Sequence, residues 1–136
     1  MACPFFYPVA RFETDTWAVL PRLPLGDPYS GECRASDASF QPDENHLRQV
    51  CNLGYGRSRC DRFPETSAND AVRFNLGPES GELIRIQFVF EKECWPKEHG
   101  IFEWRGSSGN LTGESEDHIL RRQAAAFVES YLRRKG

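Results

Sequence analysis

The stretch ELIRIQFVFEKEC, residues 82–94, places Ile84, Ile86, Phe88 and Phe90 at every second position, with Arg85 and Gln87 between them. Successive side chains of a β-strand point to opposite faces, so this spacing predicts a strand with one buried face. Upstream, AVRFNL (71–76) repeats the pattern, with Val72, Phe74 and Leu76 on one side and Arg73 and Asn75 on the other. GPESG (77–81) reads as the turn between the two. Downstream, WPKEHG (95–100) reads as a bend and GIFEW (100–104) as a third short strand. Cys94 then ends the second strand on its buried face. Three strands so joined predict an antiparallel meander with one face on a core.

The chain closes with a helical pattern over residues 115–134. Leu120, Ala124, Phe127, Val128 and Tyr131 recur at helical spacing and form an apolar stripe. Glu116 and Asp117 fall in its first turn and Arg133, Arg134 and Lys135 at its end, as the helix dipole favours. Packing this helix on the sheet gives an α+β fold.

The first half differs in composition. Seven of the nine prolines and four of the five cysteines lie before residue 65. Proline removes backbone donors and interrupts regular structure, so residues 1–64 are expected to be irregular. One short helix is expected inside this half. Asp43 caps it, Glu44 opens it, and Gly54 follows its end. Leu47, Val50 and Cys51 fall on one face and turn inward. The expectation is one domain, 1–136, with a loop-rich metal-binding half (1–64) and a half built of sheet and helix (65–136).

An irregular segment is costly to order without something to organise it. A metal centre with scattered ligands would do so. Cys3, Cys33, Cys51 and Cys60 are separated by 29, 17 and 8 residues. Structural zinc sites usually contain a C-x2–4-C knuckle, which this chain lacks. A [4Fe–4S] cubane spreads four thiolates over a larger polyhedron and suits dispersed cysteines better. Such a centre carries a charge of about −2. Arg57, Arg59 and Arg62 would offset it. The loop holding Gly54, Gly56 and Ser58 would aim backbone N–H groups at the sulfurs. Phe5, Phe6, Tyr7, Tyr55 and Phe63 would shield the centre from water. The plainer account makes these ordinary buried thiols and a solvated arginine loop.

The segments CPFF (3–6) and CNLGYGRSRCDRFP (51–64) resemble ligand segments of small four-cysteine iron–sulfur proteins of uncharacterised activity. In those segments Cys is followed shortly by Pro or by Phe-Pro. The resemblance implies cluster ligation and no particular activity.

The functional expectation is therefore a [4Fe–4S] protein serving electron transfer or redox and oxygen sensing, with an unidentified redox or protein partner. Two alternatives stand beside it. One is a zinc-stabilised interaction module without catalysis. The other is a thiol enzyme using Cys94 with His99. His46, near the cysteine-bearing helix, is a replacement ligand in the first reading and a surface histidine in the plainer one. His118 helps to cap the last helix, and Trp17, Trp95 and Trp104 read as core or interface anchors.

The remaining features are exclusions. A net charge of −3 and a pI near 5.6 argue against a protein devoted to coating nucleic acid. No stretch approaches the ~18–20 apolar residues of a membrane helix. The N-terminus does not read as a signal peptide, so the expected location is cytoplasmic, where disulfides are disfavoured. NLT (110–112) fits a glycosylation pattern that carries no weight there.

Overall fold

A computed structural model describes residues 2–11, 25–35, 38–57 and 59–135. Trp17 and Ser58, to which the sequence reading gave roles, lie outside the described residues. Strands β1 (Phe6–Arg11) and β2 (Tyr29–Cys33) form an antiparallel pair. A one-turn helix α1 (Glu44–His46) runs directly into a π-helical turn, Leu47–Cys51. Strands β3 (Ala71–Ser80), β4 (Leu83–Lys92), β5 (Trp95–Arg105) and β6 (Asn110–Gly113) follow, then helix α2 (His118–Lys135). The second sheet is an antiparallel meander in the order β3-β4-β5-β6.

The α+β class with a closing helix is as expected, but two expectations are corrected. The sheet has four strands, not three. β6 was missed because its sequence, NLTG, carries only Leu111 as an apolar anchor. The first half is not simply irregular, since it contributes a two-stranded sheet. Proline misled the reading of the first half and of where β3 ends and β5 begins. Pro8 in β1, Pro78 in β3 and Pro96 in β5 all stand at breaks in strand register. A bulge leaves a residue outside the hydrogen-bond ladder, where a missing N–H costs nothing. GPES and WPKEHG therefore stay within strands, and the turn falls at Gly81 and Glu82.

The alternating positions of β4 behave as read. Ile84, Ile86, Phe88 and Phe90 are all buried, and Val72 and Phe74 join them from β3. Leu76, beyond the packed part of β3, is exposed. Phe88 packs on Phe102 at 5.2 Å between ring centroids, nearly edge to face. Burying a phenylalanine side chain contributes roughly 1.5–3 kcal/mol, so these rings are a main prop of the sheet. Phe88 also lies across Gly100, its cross-strand partner, where a Cβ would meet the ring at 2.4 Å. Only glycine fits there.

Helix α2 begins at a cap rather than at residue 115. The Asp117 carboxylate accepts the N–H groups of Ile119 and Leu120, which no earlier helical carbonyl can satisfy. Its buried face carries Leu120, Ala124 and Val128, as the stripe predicts, together with Gln123 and Ser130. The polar pair ties the helix to the first half. Gln123 Nε2 donates to the carbonyls of Cys3 (2.8 Å) and Phe6 (2.7 Å). The Tyr29 hydroxyl donates to the Ala126 carbonyl and lies 2.7 Å from Ser130 Oγ. Ala2 and Val72 exchange backbone hydrogen bonds, which fastens the N-terminal segment to the edge of the larger sheet. One apolar cluster therefore draws on both halves, from Phe6 and Tyr29 to Phe102 and Val128. No helix among the described residues is long and apolar enough to cross a membrane.

Candidate metal centre

Four separate segments deliver the four cysteines to one place. Cys3 precedes β1, Cys33 ends β2, Cys51 ends the π turn, and Cys60 lies in the following loop. All four line a single cavity of about 20 Å³, together with Phe6, Phe40, Pro42, His46, Val50 and Arg62. Cys3 and Cys51 are buried, whereas Cys33 and Cys60 are half-buried. Among the described residues, no group of three or more His, Cys, Asp or Glu side chains is drawn together closely enough to hold a metal ion as it stands. Loading a metal therefore requires the thiols to turn toward a common centre.

Backbone hydrogen bonds fix where each thiol starts. The Cys3 N–H donates to the Cys51 carbonyl (3.1 Å), which joins the N-terminal segment directly to the π turn. Cys33 and Phe40, both lining the cavity, exchange N–H···O bonds of 2.7 and 3.1 Å. The Cys60 N–H donates to the Gly56 carbonyl (2.7 Å). The Asp43 carboxylate caps α1 by accepting the His46 N–H at 2.8 Å. The π turn then matters for what faces inward. Its i→i+5 bonding, seen in Asn52 N–H to the Leu47 carbonyl, brings residues five apart to one side of the helix. His46 and Cys51 thus both reach the cavity. A regular α-helix places them apart, and for that reason the sequence showed His46 only as near the site.

Asn52 locks this turn against β2. Its side chain accepts the Tyr29 N–H (3.0 Å) and donates to the carbonyls of Tyr29 (3.0 Å) and Leu47 (2.9 Å). Neither Asn52 nor Gln123 carries a sequence signal that marks it as a support. Both are polar residues of ordinary type, known only by what they reach.

Burial dominates the acidity of the inner thiols. It pushes Cys3 up to about 12, against which the Phe5 N–H works, while Cys33 and Cys60 nearby raise it further. Cys51 is pushed up more strongly still, by burial first and then by Cys3, Cys33 and Cys60. The inner thiols are therefore neutral and unreactive at neutral pH. A thiol becomes a metal ligand by losing its proton, and a bound cation would supply the charge that makes this favourable.

The arginines are placed differently from one another. Arg57 Nε donates to Asp70 (2.7 Å), and its remaining nitrogens donate to the carbonyls of Glu65 and Ser67 (2.8 Å each). Arg59 donates to the Gln49 carbonyl at 3.0 Å. Both are spent on holding loops. Arg62 alone of the three lines the cavity, with its guanidinium 3.5 Å from the centre of the Phe40 ring. Two of the loop N–H groups are also spent elsewhere, with Gly54 donating to the Val50 carbonyl and Tyr55 to the Asp70 carbonyl. Gly56 is a close-packed position, where a Cβ would meet Val50 Cγ1 at 2.8 Å and Cys60 Cβ at 3.3 Å.

Of the proposed aromatic shield, Phe6 lines the cavity, and Phe63 is buried and packs edge to face on Phe5 at 5.6 Å. Tyr7 instead carries the Arg34 guanidinium at 3.6 Å, and the Tyr55 hydroxyl donates to Glu91 at 2.7 Å. Cys94 is exposed in the β4–β5 turn, not on the buried face of β4, and His99 is exposed on β5. The protein-family models, curated proteins and solved structures with which the chain was compared include no match.

Proposed function

We propose that the chain binds a [4Fe–4S] cluster on Cys3, Cys33, Cys51 and Cys60, and serves electron transfer or redox sensing through it. One observation carries this reading. Four thiols, contributed by four segments, share one cavity whose lining is almost wholly apolar apart from themselves, His46 and Arg62. Ordinary core cysteines have no reason to converge. The wide sequence spacing, without a C-x2–4-C knuckle, favours a cluster over a single zinc ion. When bound, the cluster supplies the electron-accepting centre, and the protein's part is to bury it and tune it. The half-buried Cys33 and Cys60 mark the side nearer to solvent, from which electrons would pass.

The cavity size favours a second reading. About 20 Å³ holds an object the size of one water molecule, which is closer to a single ion than to a cubane. The alternative is thus a zinc-stabilised interaction module with the same four ligands. Anaerobic preparation, iron, zinc and sulfide analysis, and a visible spectrum of wild type and Cys33→Ser separate the two. About four iron and four sulfide per chain with a brown chromophore, lost in the variant, support the cluster. One zinc and no sulfide replaces it with the module, because zinc–thiolate is colourless. Neither metal overturns both.

A further inference from the structure

The Cys60 corner of the cavity is unlike the rest. His46 Nε2 lies 3.1 Å from Cys60 Sγ. The two side chains line the inner cavity together, and they also line a second, outer recess of about 160 Å³ with Phe40, Asp43, Asp61 and Arg62. Of the three histidines, only His46 reaches the cavity, since His99 and His118 lie exposed on β5 and at the start of α2.

We propose that His46 is a fifth donor to the metal centre, sharing the outer corner with Cys60 so that the metal there is held by sulfur or by nitrogen. The inference rests on the metal-centre reading above and adds a ligand to it. Metal–nitrogen bonds of about 2.0–2.1 Å and metal–sulfur bonds of about 2.3 Å put a tetrahedral N···S separation at ~3.5 Å. The present 3.1 Å is a hydrogen-bond distance, short of that value by roughly half an ångström. A small side-chain rotation therefore suffices to bring either atom, or both, onto one metal. The backbone need not move, because the Asp43 cap holds His46 and the Gly56 carbonyl holds Cys60. Imidazole is a good ligand for both zinc and iron. At the corner of an iron–sulfur cluster, nitrogen in place of thiolate raises the reduction potential. Exchange belongs at this corner because solvent reaches Cys60 through the outer recess, while Cys3 and Cys51 are buried.

The test loads wild type, Cys60→Ala, His46→Ala and the double variant anaerobically with iron and sulfide, and in parallel with zinc. Metal per chain and affinity are measured in each, and pulsed EPR is recorded on the reduced iron-loaded proteins. Each single variant should keep its metal, and the double variant should bind at least ~10-fold more weakly than either. Iron-loaded Cys60→Ala should also show a nitrogen hyperfine coupling that is absent from His46→Ala. If Cys60→Ala is as empty as the double variant while wild type loads, or if it loads without the nitrogen coupling, the inference fails and the centre stands. A wild type that takes up neither metal removes the centre and the inference together.

Discussion

At the scale of single residues, Asp70 shows how a charge is set by its surroundings. It is buried, which by itself would raise its pKa. The Glu93 N–H at 2.9 Å and the Arg57 guanidinium at 2.7 Å outweigh that and hold the carboxyl below its ordinary value of 3.8. The unfolded chain therefore takes up a proton at higher pH than the folded one. The stabilisation from Asp70 is fully present above the unfolded pKa and is lost as pH falls through the lower folded value. Urea unfolding between about pH 5 and about pH 3 should show wild type losing stability, and Asp70→Asn, already weaker at the upper end, losing less. A variant whose stability falls in parallel with wild type would show that other carboxylates govern the acid limb. The sequence could not assign this role. Arg57 read as a counter-charge for the metal centre because it stands three residues from Cys60. Its partner is thirteen residues away and was visible only once the chain had folded.

At the scale of elements, the signals of period were reliable and the signals of punctuation were not. The alternation in β4 and the apolar stripe of α2 were legible because a buried face must repeat at the period of its element. The three prolines that fell inside strands were misread because a bulge neutralises what proline lacks. The β4–β5 turn failed in the opposite direction. Glu93 and Cys94 occupy its two central positions with φ of 52° and 68°, where asparagine and glycine are usual, so nothing in EKEC announced a turn. Tertiary bonds hold it there, with Glu93 N–H donating to Asp70 and Cys94 N–H to the Tyr55 hydroxyl. A left-handed conformation costs an ordinary L-residue roughly 1–2 kcal/mol, and glycine escapes that cost. Cys94→Gly should thus stabilise the protein, by ~1 kcal/mol after the extra freedom of glycine in the unfolded chain is deducted, as read by urea or thermal unfolding. It should also leave metal content unchanged. A loss of stability would mean that the exposed Cys94 side chain makes a contact worth more than the strain.

At the scale of the whole molecule, the five cysteines fall into a rank that reagents can read. The convergence of four of them was only partly legible. Spacing and composition suggested a shared centre, but the close approach of Cys3 to Cys51 depends on β1 pairing with β2 and on Gln123 gripping the Cys3 loop from α2. The last of these contacts spans 120 residues, and no local pattern encodes either. Once formed, they set accessibility. In metal-free folded protein, iodoacetamide at neutral pH should modify the exposed Cys94 first, and the half-buried Cys33 and Cys60 more slowly. Cys3 and Cys51 are buried and held neutral, so they should react only when the structure opens, at a rate that rises with added urea. Metal loading should then protect Cys3, Cys33 and Cys51, and Cys60 to the extent that its sulfur rather than the His46 nitrogen holds the outer corner, while leaving Cys94 as reactive as before. Mass spectrometry of the modified peptides gives each rate separately. If Cys3 and Cys51 reacted as fast as Cys94 in folded protein, the shared cavity would not exist in solution, and the metal centre argued from it would fall with it.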